Sequence, residues 1–553
     1  MRRMIVNGSL VLTAVAVVAL CSLSWAQMTE ADENQRLGME SHIGKLTGHA
    51  AAAQGDYRRF CVGCHGVLGD GEGENAQWLD PKPRNFTLGI FKCRSTTTGT
   101  LPLDSDLYDT IGRGLDSSNM PSWNPLSAQQ RADLVAFVKH FSARWVTEKP
   151  GDPIQIPPKP EVTAERIKAG QAVFQKVECW KCHGPSGRGN GPSAATLTDD
   201  QNRPILPYNF HDNNRFKCGT TDEDLYKIFM TGLDGTPMPS WSDNIKPDEA
   251  WDLVFYLRSL QPMKSKEKEI ARQIGLKPGA PSTAPALHSN ESRAPAMNVK
   301  KREKQMKARY KVAGMTSMLL LLAISLLSST RSVSAAADGK ITGTVKLDGA
   351  APHMKGIDMS KDPFCVKQHE NSPAHLENVI VGPGGGLQNV VLYISEGLSG
   401  TESSQVPAQE PVFDQKNCMY TPHVLAMDVN QKFKVTTSDQ TTHNIHPLPN
   451  ALAGNIPWNK SQPPGAPAIE TSWKTEEVAI PVKCNIHPWM HGYFVVVKGP
   501  YATSDDKGSY TIENVPAGNY TVTAWHEEYG TQTQKVTVAA GKPGSADFTF
   551  KAK

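Results

Sequence analysis

The chain has 553 residues, enough for about three or four ordinary domains. Its 39% hydrophobic and 20% charged content is that of a globular protein, which excludes a membrane-embedded or disordered chain. With 58 basic and 55 acidic residues the net charge is +3, and nothing in that balance points to nucleic acid.

At the N-terminus, Arg2 and Arg3 precede an apolar run from Leu10 to Leu20, and Ser24-Trp25-Ala26 offers a small-x-small cleavage site before Gln27. This pattern predicts a secretory signal peptide over residues 1–26. The run is short for a bilayer span, and Leu20 before Cys21 departs from a lipoprotein signal, so membrane association is not favoured. Export places the chain in the periplasm or another extracytoplasmic space. Of the ten cysteines, Cys21 leaves with the signal, and the others are expected to be ligated, bridged or buried in an oxidising compartment.

Cys61-Val62-Gly63-Cys64-His65 and Cys179-Trp180-Lys181-Cys182-His183 share the Cys-x-x-Cys-His spacing, in which two thioethers hold a haem and the His binds its iron. The surroundings repeat as well. "GLDSSNMPSW" at 114–123 matches "GLDGTPMPSW" at 232–241, and Met120 and Met238 each follow their motif His by 55 residues. Two copies of one domain are therefore expected, at 50–148 and 160–262, with a Pro-rich linker at 150–160. Met120 and Met238 are the candidate sixth ligands; in the second copy Met230 competes, and the repeat favours Met238. A Met sulfur fills the position a substrate would need and favours Fe(II), which points to electron transfer. Helices are predicted after each Met. Ser127 caps the first, with Leu134, Phe137, Val138 and Phe141 inward; Pro247-Asp248-Glu249 opens the second, with Trp251, Val254, Phe255 and Leu257 apolar. Ile167, Gly170, Val173 and Phe174 mark a helix before the second motif, and Tyr57 and Phe60 a shorter counterpart in the first copy. This half resembles tandem dihaem cytochromes of the class I c type. Cys93 and Cys218 occupy equivalent repeat positions after Phe-Lys; burial as thiols is preferred to pairing across a pseudo-twofold.

Residues 263–311 read as a linker that ends in a basic segment from Lys300 to Lys311. An apolar run from Val312 to Leu327 and small residues to Ala335 complete an internal signal-like segment, 312–336. A membrane helix there would set its basic flank outside, against the positive-inside rule. Two exported units joined by fusion or read-through account for the pattern.

From 338 to 500, "KITGTVKLDG", "LQNVVLYISEG", "KFKVTTSD" and "YFVVVKG" are short Val-, Ile- and Thr-rich runs that predict a β-sandwich or barrel. "TTHNIHP" at 441–447 and "CNIHPWMHGYFVVV" at 484–497 supply an upstream His and then Cys-x-x-His-x-x-Met before a strand. Two imidazoles, a thiolate and a weak thioether make up a blue-copper ligand set. These residues resemble the cupredoxins, amicyanin in particular. The resemblance implies one type 1 copper held by His443, Cys484, His487 and Met490, with Asn444 behind the first ligand. Ile486 stands where amicyanin has Pro. His446 and His491 are expected outside the ligand set, and a dinuclear copper site lacks its second bridging Cys. Cys365 and Cys418 are read first as a disulfide; a second metal site using His369 and His423 is the alternative. Residues 501–553, with Asp-x-x-Gly and Pro-Ala-Gly turns, resemble the carboxypeptidase regulatory-like β-domain and keep no catalytic set.

The expected molecule is multidomain: two mostly α cytochrome c domains, an all-β cupredoxin-like sandwich and a small β-sandwich. It carries one copper and two haem c, the haems attached through Cys61, Cys64, Cys179 and Cys182 and ligated at iron by His65, Met120, His183 and Met238. It has no catalytic residue and exchanges electrons with respiratory redox proteins. The alternative is an oxidoreductase subunit, such as a dihaem peroxidase or a nitrite reductase, or a copper-binding role for the C-terminal half. A peroxidase needs an open haem face and copper nitrite reduction a His-only copper site, and the sequence offers neither.

Overall fold

The computed structural model describes residues 36–212, 216–261, 339–398 and 409–553. The readings at 1–26 and 263–336 lie outside the described residues, and the described ones fall in a single unit. Among them no helix is long and apolar enough to cross a membrane.

The N-terminal part is helical and built twice. In the first copy, helix Gln54–Phe60 leads into the single turn Val62–His65, and helices Asp104–Arg113 and Ala128–His140 follow. Ser127 starts the last of these with a reciprocal cap: its hydroxyl accepts from the Gln130 amide while the Gln130 side chain accepts from the Ser127 amide. Leu134, Phe137 and Val138 are buried against Tyr57, while Phe141 is half-buried at the rim of that core. The copy begins earlier than residue 50, because the hairpin Glu40–Ile43 with Leu46–His49 packs on this helix, the Ser41 hydroxyl donating to the Ala132 carbonyl at 2.7 Å. In the second copy Ala164–Lys176 and Pro247–Ser259 cross, burying Val173 and Phe174 against Trp251, Val254 and Phe255. Pro247 sits at the first helical position, where its missing N–H costs nothing.

The C-terminal part is two β-sandwiches, and the boundary between them departs from the one expected at residue 500. Strands Gly339–Asp348 and Val391–Glu396, assigned by their position in the chain to the first sandwich, belong to the second. Gly339–Asp348 pairs antiparallel with Ser509–Val515 and parallel with Gly544–Ser545 and Phe548–Lys551. Val391–Glu396 lies between Tyr501–Thr503 and Gly518–His526, with Gly530–Val538 beyond. Ile341, Val345, Leu392, Ile394, Val522, Phe548 and Phe550 share one core. Alternation of period two marks a strand and its buried face but says nothing of its partner, which is why the sequence order misled.

The inner sandwich is thus inserted between the second and third strands of the outer one. One sheet runs Lys460–Gln462, His443–Pro447, Glu477–Lys483, His491–Val497, Val424–Asp428; the other runs Ile469–Thr471, Phe433–Thr437, Val412–Lys416, Met419–Thr421. Between them lie Phe413, Tyr420, Phe433, Trp473 and Phe494. Helix Pro363–Gln368, capped by the Asp362 carboxylate, closes one end.

Candidate metal centres

Each helical copy encloses an apolar cavity. The second, of about 250 Å³, has Cys179, Cys182 and His183 on one side and Met238, Pro239 and Trp241 among its other walls. The first, about 150 Å³, is lined by Cys61, Cys64 and His65 and by Met120, Pro121 and Trp123. The two histidines are held alike. Nδ1 of His65 lies 3.0 Å from the Arg84 carbonyl oxygen, and Nδ1 of His183 lies 3.0 Å from that of Tyr208. A carbonyl only accepts, so each Nδ1 carries the hydrogen and each Nε2 keeps a free lone pair, the state an iron ligand needs. The methionines sit on matching loops. The Leu115 amide donates to the Met120 carbonyl and the Leu233 amide to that of Met238, each at 3.1 Å. Gly114 and Gly232, at φ +77° and +72°, bring the backbone so close to those carbonyls that a Cβ would stand 2.7 and 3.0 Å from the oxygens.

The copies meet at their repeated Phe-Lys-Cys segments, where Cys93 is bonded to Cys218. Burial without a bond was the expectation. Both sulfurs are buried, but equivalent positions of two related copies coincide where the copies face one another, and that brings the thiols within bonding range. Lys217 lines both cavities. Burial, then the Arg84 charge, pulls both Lys92 and Lys217 below the usual ammonium range, Lys92 to about 7. The Asp199 charge at Lys92 and the Asp80 charge at Lys217 offset this only in part.

In the inner sandwich, strand His443–Pro447 brings His443 against the loop 484–490. The donor atoms of His443, Cys484 and His487 all lie within 4.8 Å of one another, and all three residues are buried. The two Nδ1 atoms face each other at 2.9 Å, while Nε2 of His443 meets Asp439 and Nε2 of His487 meets Asp362, each at 2.9 Å. Carboxylates at both outer nitrogens leave the inner pair as facing lone pairs, an arrangement that a shared cation or proton must relieve. Burial alone would push the Cys484 thiol up, yet hydrogen bonds and the charges of His443 and His487 hold it well below its ordinary value. Met490 is fully buried in the same core, and its carbonyl accepts from the Cys484 amide at 3.1 Å. Asn444 ties the loops together: its Oδ1 accepts from the amides of Asn485 at 2.8 Å and Ile486 at 3.3 Å, and lies 3.4 Å from Cys484 Sγ. Cys365 is bonded to Cys418 beside this cluster. His446 turns away to Asn485 and Asp200.

Other members of this site had no sequence signal. Lys181, an unremarked x of the second Cys-x-x-Cys-His, reaches Asp362 at 2.6 Å and Glu178 at 2.9 Å, and also contacts Thr441. The Asp362 oxygen that meets Lys181 is the one that meets His487. The Ser193 hydroxyl donates to the Ile486 carbonyl at 2.8 Å, and Ile486 also lines the second cavity. None of these pairs is closer than 125 residues in sequence except Lys181 with Glu178.

Residues 48–138 match the family described as Cytochrome C oxidase, cbb3-type, subunit III, residues 167–261 match Cytochrome c, and residues 492–551 match the Carboxypeptidase regulatory-like domain. No curated protein matches the chain. Among solved structures, a chain from the reducing HAO-like protein complex of Kuenenia stuttgartiensis is 42% identical over 38% of this chain and 96% of that one, with a TM-score of 0.37. Amicyanin from Paracoccus versutus is 13% identical over 19% of this chain and 97% of its own, TM-score 0.15. The purple cupredoxin of Nitrosopumilus maritimus is 19% identical over 16% and 100%, TM-score 0.12.

Proposed function

We propose that this chain, whose N-terminal part consists of cytochrome c domains and serves haem-based electron transfer, is an extracytoplasmic electron carrier with two haems c and one type 1 copper. The observation that carries the reading is that in both copies a Cys-x-x-Cys-His motif and a Met line one apolar cavity.

The residues fit these groups. Cys61 and Cys64, and Cys179 and Cys182, would hold the porphyrins by thioether bonds. His65 and His183 would supply Nε2 to iron, their rings fixed by the carbonyls of Arg84 and Tyr208. Met120 and Met238 would supply sulfur. Haem carries acidic propionates, and Lys92 beside the first cavity and Lys217 beside both would be the basic groups to meet them. At copper, the donor set of Cys484, His443 and His487 with Met490 nearby is the soft thiolate, imidazole and thioether mixture that such a centre uses. When bound, haem iron and copper each supply a one-electron couple. The protein's part would be to close each site: a Met would stand where an exogenous ligand enters, among apolar walls. The partners are redox proteins of a respiratory chain.

The test is the visible spectrum and intact mass of the secreted protein, matured with haem and supplied with copper. A full-length mass with two haems and a thiolate-to-copper band is expected. A shift of the haem bands on adding a small exogenous ligand, or turnover of peroxide or nitrite, would overturn the carrier reading.

A further inference from the structure

We propose a second metal site, taking a zinc-class divalent ion, at the seam between the two sandwiches: His423, His491 and Glu527, with Glu377 at the opening. It lies outside the copper ligand set and stands independently of it. His423 immediately precedes strand Val424–Asp428, and His491 opens the neighbouring parallel strand; the Tyr493 amide donating to the His423 carbonyl at 3.0 Å sets their register. Glu527 follows Gly518–His526 of the outer sandwich, so the cluster joins two separately cored bodies.

The donor atoms of His423, His491 and Glu527 lie within 4.8 Å of one another, and the imidazole rings stand edge to face at 5.2 Å. His423 is sandwiched by carboxylates. Its Nε2 contacts Glu527, and its buried Nδ1 makes no hydrogen bond, with a Glu377 oxygen 3.6 Å away. At His491, Nδ1 lies 3.0 Å from the Trp489 carbonyl and so carries the hydrogen; Nε2 is then a lone pair, buried and without a hydrogen-bond partner. A backbone carbonyl behind an imidazole, with the other nitrogen left open, is how metal-ligating histidines are oriented. Leaving such a buried acceptor unpaired is costly, and a structural ion pair between His423 and Glu527 does nothing for it. The far Glu527 oxygen is in turn anchored by Asn378 at 3.0 Å. Glu377 is one-third exposed, which gives an ion a path in. Two imidazoles and two carboxylates, with no thiolate, suit a four-coordinate ion of borderline softness.

The experiment uses the full chain with haems and copper in place, dialysed against Zn²⁺, then measured for metal content and by X-ray absorption at the zinc edge. One zinc per chain is expected, with only nitrogen and oxygen neighbours. His423→Gln and Glu527→Gln should each weaken it by about tenfold or more while the thiolate-to-copper band stays unchanged. Failure to retain zinc, sulfur in its shell, or equal retention by both variants would overturn the site. The absorption measurement on the unaltered chain decides the matter even if a variant misfolds.

Discussion

At the scale of single residues, the copper-type cluster separates into groups that would touch a metal and groups that aim them. Replacing Cys484 by Ser removes the thiolate, so the visible copper band should vanish while both haem spectra remain; absorption spectroscopy checks this. Asp362 acts one step back. It holds Nε2 of His487 and is itself held by Lys181. Asp362→Asn keeps the shape but loses the charge, and copper affinity should fall by about 10–100-fold, read by competition with a chelator. Met120→His should leave the first haem attached and lower its potential, seen in a redox titration in which the second haem does not move. The clustered residues were legible because each lies in a short motif: Cys-x-x-Cys-His, Cys-x-x-His-x-x-Met, a lone upstream His. Their supports were not legible. Lys181 reads as a solvated lysine in any local window, and its ion pair with Asp362 spans 181 residues.

At the scale of elements, the helices after Met120 and Met238 were readable because capping and apolar period agree, whereas Asp104–Arg113 and its counterpart Asp222–Thr231 were not singled out. Ser127 with Gln130, and Pro247 at a first turn, are local signals for local structure. Several strands, such as Gly339–Asp348 and Val391–Glu396, were readable as strands, but their partners were not. The two Phe-Lys-Cys segments show the same limit: the repeat revealed their equivalence, and only packing revealed that they face each other. The Cys93–Cys218 bond closes a loop of 125 residues that spans both copies. Replacing both cysteines by Ala should cost about 2–5 kcal/mol, measured as a lower denaturant midpoint, with haem content unchanged.

At the scale of the whole molecule, the outer sandwich is assembled from both ends of the C-terminal part, with the inner one enclosed in its sequence. Strand Gly339–Asp348 is central, meeting Ser509–Val515 on one side and Phe548–Lys551 on the other. A chain shortened to begin at residue 350 should therefore lose the outer sandwich although it keeps every residue matched to the carboxypeptidase regulatory-like domain. Limited proteolysis should cut such a protein within 501–553 and spare the full one. Composition could not have foretold this, because both sandwiches draw on the same Val-, Ile- and Thr-rich alternation.

The nesting also orders events in time. Gly339–Asp348 emerges early, yet Phe548–Lys551 comes some two hundred residues later, so the strand waits with its apolar face of Ile341, Val345 and Leu347 uncovered. The inner sandwich finds its partners sooner, through shorter loops, and shorter closures are faster. Folding is thus expected to run from the inside outward, with the early strand's open edge the moment of greatest exposure to aggregation, until the last strand arrives to cover it.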